Sequence, residues 1–130
     1  MAYEGPQIAI PGLTASADLT AKQYYFVKMS GVNTVTVCAA TTDKPIGVLQ
    51  NAPASGAEAN VCCIGVTKIS SDVAITAGNS LCTSSDGQAA VMTQGTDTTK
   101  YVVGQAITTT GAAAGLATAV INCASPARGA

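Results

Sequence analysis

The segment Pro45–Ser70 has the sequence P-I-G-V-L-Q-N-A-P-A-S-G-A-E-A-N-V-C-C-I-G-V-T-K-I-S, the strongest local signal in the chain. An apolar run, Ile46–Leu49, is followed by turn-forming residues, Asn51–Gly56. A longer run rich in β-branched residues, Val61–Ile69, comes next. Two apolar runs joined by a turn-forming cluster predict a β-hairpin.

The second strand of this hairpin is apolar on both faces. Residues i and i+2 of a strand share a face, so Cys62, Ile64 and Val66 are expected on one side and Cys63 and Ile69 on the other. Both faces of such a strand must pack against other apolar groups. In a small antiparallel protein the second cover is often another subunit. The pattern therefore predicts a subunit interface along this strand.

Short apolar segments separated by turn signals continue on both sides of the hairpin. Asp86-Gly87 is a strong hairpin turn, because glycine accepts the positive φ that such turns require. About eight short strands at spacings of about ten residues predict an all-β fold, a small antiparallel β-barrel or sandwich. Four further strands are predicted at Tyr24–Met29, Asn33–Ala39, Tyr101–Ile107 and Leu116–Cys123, and a further turn is predicted at Thr108–Gly115.

The two ends of the chain differ from its middle. Pro6 and Pro11 flank the short apolar pair Ile8 and Ile10, and proline disfavours both helix and central strand. Either an extended arm that docks on something or a disordered terminus fits this composition. We expect three parts: an extended N-terminal arm over residues 1–19, a β-barrel domain over residues 20–124 and a flexible tail over residues 125–130.

Charge is sparse and balanced. The 130 residues include 6 basic and 7 acidic side chains and no histidine, and the basic ones are spread along the chain. Nucleic-acid binding needs a clustered basic patch, so none is expected. No apolar segment approaches the roughly 20 residues that span a bilayer, and no signal peptide is recognised, so no membrane association is expected. Charged residues make up 10% of the chain, which suits a surface buried against partners.

No catalytic or metal-binding motif is recognised in the sequence, and the serines that lie near lysines, Ser30, Ser70 and Ser71, are ordinary for a β surface. Without histidine, a Ser-His or Cys-His nucleophile pair is impossible within one chain. No C-x-x-C pair indicates a zinc site. We therefore expect no enzyme, no catalytic residue, no metal and no cofactor. An odd number of cysteines without a framework spacing favours free, buried, reduced thiols and assembly in a cytoplasm; they are Cys38, Cys62, Cys63, Cys82 and Cys123.

Three segments, in this order, carry a family resemblance. They are K-P-I-G-V-L-Q-N-A-P-A-S-G-A-E-A-N-V-C-C-I-G-V-T-K (Lys44–Lys68), I-T-A-G-N-S-L-C-T-S-S-D-G-Q-A (Ile75–Ala89) and V-V-G-Q-A-I-T-T-T-G-A-A-A-G-L-A-T-A-V-I (Val102–Ile121). The chain resembles the capsid decoration proteins of tailed bacteriophages, also called cement or head-stabilising proteins. Their shared pattern is an I-G-V strand, an A-G-D-x-L turn and a final G-x-A…A-G-x-x-x-x-V hairpin. Here Gly78-Asn79 stands where an aspartate often follows the glycine.

The resemblance implies a compact, usually trimeric β-barrel in the virion, on the outer surface of the capsid. The protein would assemble in the host cytoplasm and clamp adjoining major capsid proteins at threefold or quasi-threefold positions. Its partners would be the major capsid protein and copies of itself as a homotrimer. We expect Ile8, Ile10 and Pro11 to contact the capsid. The expected subunit interface is Tyr24, Phe26, Cys62, Ile64 and Val66.

A second function remains open at this point. The chain could be a receptor- or glycan-binding virion module, such as a head-fibre base or a tail-tip domain. That function predicts an exposed aromatic patch and measurable carbohydrate binding.

Overall fold

The computed structural model describes residues 2–111 and 115–128, and every regular element in these ranges is a β-strand. The all-β prediction is confirmed. No helix in this part of the chain is long and apolar enough to cross a membrane. Met1, part of the turn predicted over Thr108–Gly115 and the last two residues of the predicted tail lie outside the described residues. The strands are β1 (Gln7–Ile10), β2 (Thr14–Ala15), β3 (Phe26–Gly31), β4 (Thr34–Val37), β5 (Gly47–Leu49), β6 (Val61–Ser70), β7 (Ser80–Thr83), β8 (Ala89–Val91), β9 (Tyr101–Val102), β10 (Gly104–Ala106), β11 (Leu116–Asn122) and β12 (Ala127–Arg128).

Most strands belong to one sheet, with the order β2-β4-β3-β5-β6-β11-β10-β7-β8 and with β1 also paired to β6. Strands β9 and β12 form a separate two-stranded ribbon. All pairs between these strands are antiparallel except that of β2 with β4. Within the described residues the sheet ends at β2 and β8 instead of closing on itself. The fold is therefore sandwich-like and not a closed barrel.

Strand β6 is the centre of the sheet. Cys62 pairs with Val48 of β5 and also with Ala9 of β1, while Ile64 pairs with both β1 and β11. A strand residue has one neighbour on each edge, so β1 lies along one edge of β6 and β5 and β11 follow one another along the opposite edge. The hairpin predicted from Pro45–Ser70 is present as β5 and β6.

The two faces of this hairpin are buried in two different clusters. Val48 and Cys62 pack with Phe26 in a large first core, whereas Leu49 and Val61 belong to a smaller second core. The second core is completed by side chains from the N-terminal segment, which are Leu13, Ala15 and Leu19. At Val61 and Cys62, both faces of the hairpin thus pack against other parts of the same chain. The expectation that a sister subunit supplies the second cover is wrong for this part of β6.

The segment predicted as an arm is extended, and it packs on the protein's own domain. Strand β1 pairs with β6, and Leu13 and Leu19 are 3% and 1% exposed. Within the segment predicted as a flexible tail, Ala127 and Arg128 pair with β9.

A β-bulge changes the alternation of β6. Ile8 pairs with Ile64 and the next residue, Ala9, pairs with Cys62, so Cys63 is an extra residue opposite this step. Cys62 and Cys63 consequently contribute to the same first core, and the prediction that they lie on opposite faces is wrong. Strict alternation fails because a bulge inserts one unpaired residue.

Glycine is required at position 65, next to this bulge. Gly65 has a φ of +140°, which side-chain-bearing residues rarely adopt. A Cβ added here would lie 2.3 Å from the carbonyl oxygen of Pro6. The residues at the start of β1 can therefore pair this closely along the edge of β6 only because position 65 has no side chain.

Candidate interaction surface

Apolar side chains gather on the outward side of β1, β6 and β11. Ile8 is 61% exposed and lies directly opposite the half-buried Ile64. Val120 is 44% exposed and lies directly opposite the half-buried Val66. Directly opposed residues share a face, as do residues i and i+2. We call the surface formed by Ile8, Ile64, Val66 and Val120 the outer apolar face.

The N-terminal segment is hydrogen-bonded to the sheet along one margin of this face. The backbone N–H of Tyr3 donates to Oγ1 of Thr118 at 2.6 Å, and the Thr118 hydroxyl donates to the carbonyl oxygen of Tyr3 at 2.9 Å. Two further backbone bonds, from Gly5 N–H to the Val66 carbonyl and from Val66 N–H to the Pro6 carbonyl, are both 3.0 Å. Tyr3 as a whole stays 47% exposed.

Tyr24 lies beside charged groups at another margin. Its hydroxyl donates to Oε1 of Glu4 at 3.0 Å, and the Lys68 ammonium lies 5.9 Å from the centre of its ring. Burial raises the pKa of the Tyr24 hydroxyl, and its contact with Glu4 adds to the rise. The phenol therefore stays neutral at physiological pH and can donate a hydrogen bond.

The structure brings together only some of the residues predicted as contacts. Ile8, Ile64 and Val66 meet on the outer apolar face. Ile10 is half-buried between the two cores, and Pro11 is exposed in the turn that follows β1. Phe26 and Cys62 are 0% exposed, so their side chains serve the core of the single chain.

Sequence reasoning missed Val120, although it is a main contributor to this face. Strand β11 points Ala117, Ala119 and Ile121 into the first core, while Leu116 and Val120 point outward. Large apolar residues therefore lie on both sides of this strand. Only the pairing register with β6 identifies the outward side, so no local pattern in the sequence signals it.

The thiols predicted to be free and buried are so in the structure. All five cysteines are unpaired and buried. Burial raises the pKa of Cys38 to about 12 and that of Cys62 to about 11, which keeps both thiols protonated and weakly nucleophilic at neutral pH. Among the described residues no three Cys, Asp or Glu side chains come together as a metal-binding group.

Comparison with solved structures shows a similarity that extends over nearly the whole chain. No protein-family model and no curated protein sequence matches the chain. Among solved structures, the chain is similar to the N base of head fiber gp8.5 of bacteriophage phi29, with a TM-score of 0.64 and 19% sequence identity. The alignment covers 91% of this chain and 96% of that one. At this level of identity the similarity shows a shared fold.

Proposed function

We propose that this chain is a structural protein of a bacteriophage head and that it acts as a capsid decoration protein. It would bind the outer surface of the head, associate with copies of itself and stabilise adjoining major capsid proteins. The observation that carries the proposal is the outer apolar face, in which Ile8 and Val120 are 61% and 44% exposed. A contiguous apolar surface of this kind is typical of a protein–protein contact.

The fold similarity supports a location on the phage head. The similar structure is a head-fibre base, and the alignment covers nearly the whole of both chains. The sequence resemblance to decoration proteins, carried by segments between Lys44 and Ile121, supports the same location independently of that alignment.

The physical benefit of such binding follows from mass action. A protein that binds the assembled lattice better than loose subunits adds its binding free energy to the stability of the shell. Contacts repeated around a symmetric oligomer also gain from effective concentration, so a small apolar face on each copy is sufficient.

The experiment is to prepare heads with and without the protein and to heat both. A decoration protein predicts that heads lacking it release DNA at a lower temperature and that adding purified protein restores the loss. The Ile8→Glu variant should fail to restore it, whereas Val32→Glu should succeed, because Val32 is 91% exposed in the turn between β3 and β4, outside the outer apolar face. Full rescue by Ile8→Glu would contradict the proposed role of this face.

The base of a head fibre is the second candidate, and the similarity to the phi29 head fibre base favours it. A fibre base would bind the head without strengthening it. Heads lacking the protein would then keep their thermal stability and lose a projecting feature in electron micrographs.

A further inference from the structure

A groove of about 450 Å³ lies where two segments leave the same edge of β6. Val48 of β5 pairs with Cys62, and the backbone N–H of Cys123, just after β11, donates to the carbonyl oxygen of Cys63 at 2.9 Å. The segment before β5 and the segment after β11 diverge from here, and both line the groove. We call it the Lys44 groove; its apolar lining includes Met29, Pro45, Ile46 and Pro126, and two lysines also line it, Lys28 and Lys44.

Lys44 gives this groove a positive charge that the described part of the chain does not neutralise. Lys28, the second lysine of the groove, pairs with Asp43 at 2.8 Å. Among the other cationic side chains, Lys100 pairs with Asp97, and three lie over tyrosine rings, which are Lys22, Lys68 and Arg128. Lys44 is exposed and has neither kind of contact within the described residues. The groove thus combines an apolar lining with an unpaired ammonium group.

A surface of matching character lies in the bend formed by Asp72 and Val73, between β6 and β7. Val73 is 44% exposed, and the Asp72 carboxylate has no hydrogen-bond or ion-pair partner within residues 2–111 and 115–128. The chain is anchored at Asp72, whose backbone N–H donates to the Ala89 carbonyl at 2.9 Å, and again at Ile75, which is 0% exposed. An exposed apolar side chain is therefore held next to an unpaired carboxylate, which reduces the entropy lost on binding.

No other acidic residue in the described part of the chain combines these two features. The carboxylate of Glu58 also lacks a partner there, but its neighbours in sequence are Ala57 and the buried Ala59. Five carboxylates already accept a hydrogen bond, which are those of Glu4, Asp18, Asp43, Asp86 and Asp97. The bend is thus the acidic surface whose chemistry fits the Lys44 groove.

We propose that the bend of one copy docks in the Lys44 groove of the next copy, with Val73 against the apolar lining and Asp72 beside the Lys44 ammonium. This inference rests on the self-association proposed above and names a contact for it. A ring of three copies needs a contact of this kind, because each interface in such a ring joins two different patches of the chain. An exposed ion pair alone contributes little, so burial of Val73 supplies the apolar part of the contact and the charges select the partner surface.

The test is an exchange of charges, followed by analytical ultracentrifugation over a range of protein concentrations. Lys44→Glu and Asp72→Lys each place like charges in the contact, so each should raise the concentration needed for half-assembly at least about tenfold. The double variant has opposite charges again, in the reversed arrangement. It should return that concentration to within about threefold of the value for the unmodified chain.

The matched control is Glu58→Lys, which makes the same charge change at the other unpartnered carboxylate. Alone it should leave assembly unchanged, and combined with Lys44→Glu it should not restore assembly. Three results would each overturn the contact: assembly of Lys44→Glu at the same concentration as the unmodified chain, no recovery in the double variant with Asp72→Lys, or an equal recovery with Glu58→Lys.

Heated heads separate this contact from the proposed role. If the unmodified chain assembles and protects heads, and Lys44→Glu does both equally well, the contact is wrong and the decoration role stands. A single-chain mass for the unmodified protein, together with no protection of heads, would instead overturn the proposed role and the contact with it. The groove and the bend share no residue with the outer apolar face, so variants of the two surfaces test them separately.

Discussion

Ile8 of β1 lies directly opposite Ile64 of β6, and Ile8 remains 61% exposed in that position. The pair joins the N-terminal segment to the strand from which the whole fold was predicted. It also starts the outer apolar face, which continues through Val66 to Val120. One contact thus links the organisation of the sheet to the surface proposed to bind other proteins.

The first prediction concerns Gly65, which pairs with Gln7 at the start of β1. Gly65→Ala should lower the free energy of unfolding by about 3 kcal/mol, because it adds a strained φ and a clash with the Pro6 carbonyl. The matched control is Gly78→Ala, since Gly78 has a φ of +95° and open space around its Cβ position. This control substitution should lower the free energy of unfolding by only about 1 kcal/mol. Urea unfolding measures both losses, and equal losses would show that the Pro6 carbonyl does not pack against position 65 of β6.

The second prediction concerns the second core. Leu19 is 1% exposed, and Leu19→Ala should destabilise the protein by about 3 kcal/mol through lost burial and a cavity. Val32→Ala, at a residue that is 91% exposed, should change stability by less than about 0.5 kcal/mol. If Leu19→Ala proves as mild as Val32→Ala in urea unfolding, the segment before β3 is not part of the folded domain.

The third prediction is a pH dependence that arises from Asp43. Its Oδ2 accepts from the Lys28 ammonium at 2.8 Å and from the backbone N–H groups of Ala39 and Ala40 at 2.8 and 3.0 Å. Burial raises the pKa of Asp43, but the Lys28 and backbone bonds outweigh it and the pKa is lowered overall. A lowered pKa in the folded state stabilises the protein above the unfolded value of about 4 and loses this contribution as pH falls through the folded value.

We therefore expect Asp43→Asn to reduce the free energy of unfolding at pH 7 by about 1 kcal/mol. The free energy of unfolding should then differ less between pH 7 and pH 3 in the variant than in the unmodified protein. Urea unfolding at the two pH values tests this. If the free energy of unfolding changes as much between pH 7 and pH 3 in the variant as in the unmodified protein, Asp43 is not the source of the pH dependence.

The fourth prediction concerns the buried thiols. Burial raises the pKa of Cys62 to about 11 and that of Cys38 to about 12, above the ordinary value for a thiol. A raised thiol pKa stabilises the fold below the unfolded value of about 8.5 and loses this contribution as pH rises toward the folded values. Stability should therefore fall between pH 9 and pH 11, and Cys38→Ala should reduce the size of that fall.

Reaction with a thiol reagent gives a second readout. At pH 8 the folded chain should react slowly, and all five cysteines should react quickly in guanidinium chloride. Rapid labelling of the folded chain would contradict the burial of these side chains.

The sequence predicts the elements that depend on local signals and misses those set by distant partners. The hairpin of β5 and β6 is predicted because its turn cluster and β-branched run lie within one segment. The bulge at Cys63 is missed because it exists only relative to β1, more than fifty residues earlier in the chain. The second core is missed because its N-terminal contributors, such as Leu13 and Leu19, are scattered among turn-forming residues and give no periodic signal.

The candidate surface is predicted in part for the same reason. Ile8 was expected at the capsid and Ile64 and Val66 at a subunit interface, both from apolar alternation, which is a local property; the structure places all three on the outer apolar face. Phe26 is predicted as a contact because it is aromatic, but it fills the core, where the demand for large side chains is high in a chain with one Phe and no Trp. Val120 is missed because its exposure depends on the register between β6 and β11.

The most direct test of the proposed role is the mass of the purified chain in solution by light scattering at micromolar concentration. We expect about three times the 12.8 kDa of one chain, a shift toward one chain in Ile8→Glu and Val120→Glu, and no shift in Val32→Glu. A single-chain mass for the unmodified protein, or an assembly that both glutamate variants on the outer apolar face leave intact, would contradict it.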